Sequence, residues 1–206
     1  MPLFFIPEKE NMLPSKNDFS EAARYLGYSK INLPDQTVSK LIEDSALELF
    51  EVIKPQSVYE SFSLQIKNDC DIYFADTHVI SKDLGRNLKD CDTVTVLAST
   101  IGPQVDTLIR KYQNINQAKA AVLQACGAMF IEKNVDLLND LIKTENFKQN
   151  KTIKPRFSPG FGDLSLGFQK EIFRLLPCTK IGLTLMDTLI MSPEKSVTAL
   201  IGTKKT

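Results

Sequence analysis

The segment with the clearest chemical potential is Arg156-Phe-Ser-Pro-Gly-Phe-Gly-Asp163, which stands just before a predicted helix. Its glycines allow positive φ angles and let a ligand approach the backbone closely. Its arginine can bind a carboxylate or phosphate through two parallel hydrogen bonds. The segment is typical of a ligand-binding turn. The alternative is a tight loop whose aromatic side chains fill the core while Arg156 forms a surface ion pair.

Other common catalytic sites have no support in the sequence. It contains no GxxxxGK[ST] phosphate loop and no GxSxG nucleophile motif, and Gly160-Phe-Gly162 lacks the third glycine and the preceding strand of a dinucleotide-binding motif. The single histidine, His78, lies in a predicted loop and is a weak candidate for catalysis. The four cysteines are dispersed without a CxxC pair, which predicts reduced core thiols instead of a zinc site. We therefore assign no catalytic residue and no metal ligand.

Composition excludes several classes of partner. The 206 residues carry 25 basic and 25 acidic side chains, so net charge does not favour nucleic acid or an anionic membrane. No apolar run is long enough for a membrane helix, and the first residues lack the features of a signal peptide. We expect a cytoplasmic protein.

Prolines and helix-capping residues divide the first part of the chain into predicted segments. Residues 1–17 contain three prolines, which predicts an irregular arm, and residues 18–206 are predicted to form one domain that is helical up to about residue 54. Asp18 is predicted to cap the first helix with Glu21 as its capping-box partner, and Asp35 to cap the second.

Strands and helices then follow in pairs. Alternation predicts a hairpin of 62–67 with 72–74, and an apolar run predicts a buried strand at 93–98. Asn116 is predicted to cap a long helix to about Lys143, residues 144–155 to form a loop, and residues 166–176 a helix, with strands at 181–185 and 196–201. The pattern favours an α+β fold, with a mixed or antiparallel twisted sheet flanked by helices.

An ordered set of motifs carries a family resemblance. From Arg156 onward these are Arg-x-Ser-Pro-Gly-aromatic, a helix bearing Gln-Lys and ending in Leu-Leu, Ile-Gly-x-x-Leu, and Met-x-Pro-x-Lys-Ser-Val. Upstream, Arg24-Tyr-Leu-Gly27, Thr100-Ile-Gly102 and Ala125-Cys-Gly127 with Glu132 extend the match. Together they resemble the activation domain of cobalamin-dependent methionine synthase, in its short, free-standing version, from about residue 18 to 202.

The resemblance implies a function in repairing a cofactor. In that family, cobalamin that has been oxidised to cob(II)alamin is rescued by one-electron reduction coupled to methyl transfer from S-adenosylmethionine. Flavodoxin or a similar protein donates the electron. The chain would then be a component of a methyltransferase, because its partner, a separate methionine synthase polypeptide, would carry the cobalamin.

The resemblance also implies the residues that bind S-adenosylmethionine. Arg156 would bind its carboxylate, and the backbone of the following turn would meet its adenine and amino group. The full set of implied binding residues is Arg156, Ser158, Pro159, Gly160, Phe161, Gly162, Gln124 and Glu132. The family commonly has tyrosine at the position of Phe161 and an acidic residue at that of Gln124.

Two further hypotheses remain open at this point. The differences at Phe161 and Gln124 suggest a non-catalytic partner that docks on a corrinoid protein and stabilises it without S-adenosylmethionine. A methyltransferase acting on an unrelated small molecule is the other, and no general base supports it. For docking, we expect an exposed surface near the 156–163 turn and the stretch from Met186 to Pro193.

Overall fold

The computed structural model describes residues 1–205, which form an antiparallel sheet between two helical layers. The strands are β1 Leu3–Phe5, β2 Gln56–Lys67, β3 Asp71–Phe74, β4 Thr77–Ile80, β5 Thr93–Thr100, β6 Lys151–Ile153, β7 Thr184–Leu185, β8 Met191–Ser192 and β9 Ser196–Lys205. The helices are α1 Lys16–Tyr25, α2 Gln36–Val52, α3 Lys82–Asn87, α4 Gln104–Gln113, α5 Gln117–Phe147 and α6 Gln169–Leu175. The predicted α+β class is confirmed.

The main sheet has the strand order β4-β3-β2-β5-β9-β6. The first half of β2 pairs on one side with β5 and on the other with β1, while its second half pairs with β3. Strands β7 and β8 form a separate hairpin. Every one of these pairings is antiparallel. Successive side chains of a strand point to opposite faces of the sheet, and hence to the two helical layers in turn.

That alternation separates two cores. On β9, Ala199 and Ile201 pack into a cluster with α1, α2, α4 and α5, whereas Leu200 packs into a second cluster with α3 and α6. We call these sides the α5 layer and the α6 layer. The site described below lies at the edge of the sheet where the two layers meet.

Local capping determines where the helices begin. Asp35 and Asn116 accept hydrogen bonds from the first turns of α2 and α5, as predicted, and α5 continues to Phe147, beyond the predicted end. The prediction that Asp18 caps α1 is wrong. Ser15 is the cap and Asp18 is its capping-box partner, while Glu21 pairs with Arg24.

Several segments predicted without regular structure have it. Residues 1–17 contain β1 and a 3₁₀ turn at Lys9–Met12 instead of an irregular arm, because the prolines flank these elements and Met12 is buried in the core. The predicted loop 144–155 contains the end of α5 and the strand β6, which pairs with the end of β9. Conversely, the strand expected at 181–185 is only the two residues of β7, preceded by a 3₁₀ turn at Cys178–Ile181.

The cysteines are free thiols, and two of them are core residues as expected. Burial raises the pKa of both Cys126 and Cys178 to about 12. Cys70 and Cys91 are only partly buried. No helix within residues 1–205 has both the length and the apolar character needed to cross a bilayer.

Candidate ligand-binding site

A cavity of about 370 Å³ opens at the edge of the sheet beside β9. It is lined by Glu132, Arg156, Phe157, Ser158, Pro159, Phe161, Gln169, Met191, Ser196, Val197 and Thr198. Five of the eight predicted binding residues therefore surround one cavity, although they come from separate parts of the sequence. The volume lies within the range of small-molecule sites.

The segment that forms one wall runs along β9. Lys154 donates its backbone N–H to Gly202, and Phe157 and Leu200 exchange two backbone hydrogen bonds. These bonds extend the edge begun by β6 and bring Arg156 and Ser158 alongside the start of β9. The predicted turn therefore has a fixed register against the sheet.

Arg156 reaches from this edge into the α5 layer. Its Nη2 lies 3.1 Å from Glu132 Oε2 and 2.9 Å from Asp136 Oδ1, on adjacent turns of α5. Its side chain is 24% exposed, and Nη1 is buried with no partner among the described residues. The two carboxylates hold the guanidinium in place, and one set of its N–H donors remains unused.

The turn after Arg156 is closed by its own backbone. Phe161 donates its N–H to Ser158 and Gly160 donates to Leu164, so these two amides are not free for a ligand. Gly160 has a φ of +91°, which favours glycine there. Phe161 is 66% exposed, and its ring forms part of the cavity wall.

Gly162 packs against α3 and does not line the cavity. A Cβ on this residue would lie 2.4 Å from Asp83 Oδ2. The glycine allows the turn to pack tightly against α3. Its place in the predicted binding set therefore gains no geometric support.

Asp163 anchors the turn to the same helix. Its carboxylate accepts hydrogen bonds from the Ser81 hydroxyl and from the backbone N–H groups of Lys82 and Asp83, while Asp83 Oδ2 accepts from the Asp163 N–H. The hydrogen bond from Ser81 and those from the amides hold the pKa of Asp163 below its usual range. This anchor fixes the turn against α3 through residues that do not line the cavity.

Gln124 lies outside the cavity lining. It precedes Glu132 by eight residues of α5, which is just over two turns or about 12 Å along the helix axis. Between them, Gly127 leaves room for the stem of Lys195, whose Cε would be 3.0 Å from a Cβ there. Burial lowers the pKa of Lys195.

Gln169 was not predicted as a site residue. It is the first residue of α6, it is 6% exposed, and its Oε1 is buried without a partner among the described residues. The motif with Gln-Lys in a helix was visible in the sequence. However, the burial of that glutamine depends on how the 157–168 segment folds back onto α6.

His78 and the methionines lie as follows. His78 is in β4 and not in a loop, with its ring stacked on Tyr73 at 4.4 Å between centroids. Met191 lines the cavity, while Met186 in the same hairpin is exposed. Within residues 1–205, no three His, Cys, Asp or Glu side chains are grouped to hold a metal ion.

Comparisons with known proteins support the fold. The sequence matches no protein-family model and no curated protein significantly. Among solved structures, it is similar to the MetH reactivation domain bound to AdoHcy (S-adenosylhomocysteine), with a TM-score of 0.68 and 16% sequence identity. The alignment covers 98% of this chain and 78% of that one. At this identity the similarity concerns architecture, so the chain shares the α+β fold of that reactivation domain.

Proposed function

We propose that this chain binds S-adenosylmethionine at the edge of its sheet and takes part in reactivating a cobalamin-dependent methionine synthase. The observation that carries the proposal is the cavity beside β9, which holds a partly buried arginine with unused N–H donors. It occurs in a fold similar to that of a reactivation domain whose structure contains AdoHcy.

One end of the cavity is charged and the other is apolar. S-adenosylmethionine likewise has a charged amino acid end and a flat heterocyclic end. Arg156 and Glu132 place a cation and an anion at the α5 layer, where an amino acid group can be bound by its carboxylate and its ammonium. Phe157 and Met191 pack against the core of the α6 layer and offer an apolar surface for a flat heterocycle. The unpaired buried atoms of Arg156 and Gln169 also fit a polar ligand.

S-adenosylmethionine carries its methyl group on a sulfonium, and transfer of that methyl breaks the carbon–sulfur bond and releases S-adenosylhomocysteine, a neutral thioether. This good leaving group needs no acid or base from the protein. The task of this chain is then to bind and orient. Arg156 holds the ligand carboxylate through Nη1, Glu132 accepts from the ammonium, and the anchored 158–161 turn covers one side. In this sense the chain is a component of a methyltransferase.

We also propose that the cobalamin belongs to a separate methionine synthase polypeptide, reduced by flavodoxin or a similar donor. Exposed apolar side chains next to the cavity support a docking surface there. They are Phe161, Leu166, Met186 and Ile190. The last two lie in the β7–β8 hairpin, which also carries Met191 of the cavity lining.

Calorimetric titration with S-adenosylmethionine tests the binding step. Arg156→Ala removes a charge-assisted hydrogen bond, which is worth about 1.5–3 kcal/mol, so Kd should rise about ten- to a hundredfold. Arg174→Ala is the matched control. Arg174 also binds two carboxylates, those of Asp76 and Glu171, but lies outside the cavity lining, so its loss should leave Kd unchanged.

Absence of binding would favour a second function. The two carboxylates of Glu132 and Asp136 already occupy Nη2 of Arg156, as they would in a purely structural ion pair. If wild-type protein binds no S-adenosylmethionine, alone or with a cobalamin-carrying protein, the proposal fails. A partner that docks on a corrinoid protein without S-adenosylmethionine would then be the better interpretation.

A further inference from the structure

Gln169 and Thr198 are the two buried polar residues of the cavity lining, and Gln169 is the one with an unpaired atom. It is 6% exposed, and its Oε1 has no hydrogen-bond partner within residues 1–205. Leaving a buried acceptor unpaired is unfavourable, and such groups in folded proteins nearly always have a partner. Of the unpaired buried atoms, only Gln169 Oε1 and Arg156 Nη1 belong to residues that line this cavity.

These two atoms belong to opposite layers of the molecule. Arg156 contacts Glu132 and Asp136 of the α5 layer, whereas Gln169 begins α6 in the other layer. The apolar lining residues Phe157 and Met191 pack against the core of that same α6 layer. An extended ligand with its charged end at Arg156 therefore presents its uncharged end to Gln169.

The side-chain amide of Gln169 is neutral, so it suits the uncharged end of the ligand better than the charged end. Amide Oε1 can only accept a hydrogen bond, so the group facing it must be a donor. The amino group on an aromatic heterocycle is such a donor, and it lies in the plane of a ring that apolar side chains can cover. Side-chain amides also recognise adenine in this way in nucleic-acid complexes.

We infer that Gln169 accepts a hydrogen bond from the 6-amino group of the ligand's purine and so makes the cavity specific for an amino-substituted base. This inference rests on the proposed function, because it takes an adenosyl ligand as the occupant. It adds a binding residue and a selectivity to that function.

The test compares two ligands on two proteins by calorimetry. The ligands are S-adenosylhomocysteine and its analogue with hydrogen in place of the 6-amino group, and the proteins are wild type and Gln169→Met. Wild type should bind the analogue about ten- to a hundredfold more weakly, since the amide oxygen stays unpaired. Gln169→Met should weaken S-adenosylhomocysteine by a similar factor and change the affinity for the analogue less than about threefold.

Gln104→Met is the matched control for the substitution itself. Gln104 is also the first residue of a helix, α4, and its Oε1 is also buried without a partner, but it lies outside the cavity lining. This variant should bind both ligands like wild type. Thermal melting of each variant establishes that it is folded.

Each contrary result has its own meaning. If wild type binds S-adenosylhomocysteine and Gln169→Met binds it equally well, the inference is wrong and the proposed function stands. If Gln169→Met weakens both ligands equally, the amide contacts a different part of the ligand, and the inference is again wrong. If wild type binds neither ligand, the proposed function fails and the inference with it.

Discussion

The Arg156 guanidinium is oriented by the protein before any ligand arrives. Its ion pairs with Glu132 and Asp136 use only Nη2, and the planar fork leaves Nη1 in a fixed direction. Partly exposed ion pairs contribute little to stability. Under the proposed function, their effect is to reduce the side-chain entropy that Arg156 would otherwise lose on binding a ligand carboxylate.

The same turn of α5 also carries a polar side chain that is fully buried against the sheet. Asn134 is 0% exposed, and its Nδ2 lies 2.7 Å from Ser99 Oγ on β5 and 3.3 Å from Ser57 Oγ on β2. The two hydroxyls are 2.9 Å apart. This buried cluster fixes the rotation of α5 on the sheet, and hence the direction in which Glu132 and Asp136 face.

Replacing Asn134 with alanine should destabilise the protein. The change removes two buried hydrogen bonds, each worth about 0.5–1.5 kcal/mol and together about 1–3 kcal/mol, while the two serine hydroxyls keep the bond between them. Urea denaturation should show a loss of that size in the free energy of unfolding. Asn139→Ala, on the same helix but only half-buried, should cost less. Equal losses for the two variants would contradict this account of the cluster.

The helices and strands that the sequence predicts well are those with a signal in neighbouring residues. Caps at Asp35 and Asn116 and the alternation in β2 are encoded by neighbouring residues, and these elements formed as expected. The strands β1 and β6 have three residues each, too few for a periodic pattern. They exist because an adjacent strand, β2 or β9, offers free hydrogen-bonding groups. Such pairing is tertiary and leaves no local trace.

The residues of the candidate site also differ in whether a local sequence signal predicts them. The Arg156 turn was visible from its residue types, whereas the roles of Gly162 and Gln169 depend on contacts with α3 and on the burial of α6. A glycine that permits a turn to pack on a helix has the same sequence signal as one that permits a ligand to approach. Only the fold distinguishes them.

The anchor between the turn and α3 should depend on pH. The folded-state pKa of Asp163 is lowered, so its charge stabilises the folded protein above the unfolded-state value of about 4, and this contribution is lost as pH falls through the lower folded-state value. Asp163→Asn should therefore lower Tm at pH 7. The difference from wild type should be smaller at pH 3 than at pH 7, because below about pH 4 the unfolded wild-type chain binds a proton at Asp163 more readily than the folded protein does.

Asp44→Asn provides the control for the loss of one negative charge. Asp44 is exposed on α2, in the other helical layer, and should not reproduce the pattern seen at position 163. A difference in Tm for Asp163→Asn that persists unchanged from pH 7 to pH 3 would show that the carboxylate charge does not stabilise the anchor.

At the scale of the whole molecule, the two layers have different exposed apolar side chains. The α6 side has Phe161, Leu166, Met186 and Ile190 near the cavity, while Ile31 is exposed in the connection between α1 and α2. Exposed apolar groups are common on single proteins, so exposure alone does not identify an interface. What favours the first group is that Phe161 lines the cavity, while Met186 and Ile190 lie in the same hairpin as Met191, another lining residue. Under the proposed function, this is the cavity from which a methyl group would be delivered.

Docking of a cobalamin-carrying protein should therefore depend on the β7–β8 hairpin. Ile190 is 52% exposed and is absent from the cavity lining, so Ile190→Ser should weaken the binding of that partner without changing the affinity for S-adenosylhomocysteine. Loss of a buried interface side chain of this size typically costs about 1–2 kcal/mol, or roughly five- to thirtyfold in Kd. Ile31→Ser makes the same change at a side chain that is 99% exposed in the other layer, and it should leave partner affinity unchanged. Biosensor titration of a methionine synthase polypeptide over the immobilised variants measures both effects, and equal weakening by the two substitutions would place the docking surface elsewhere.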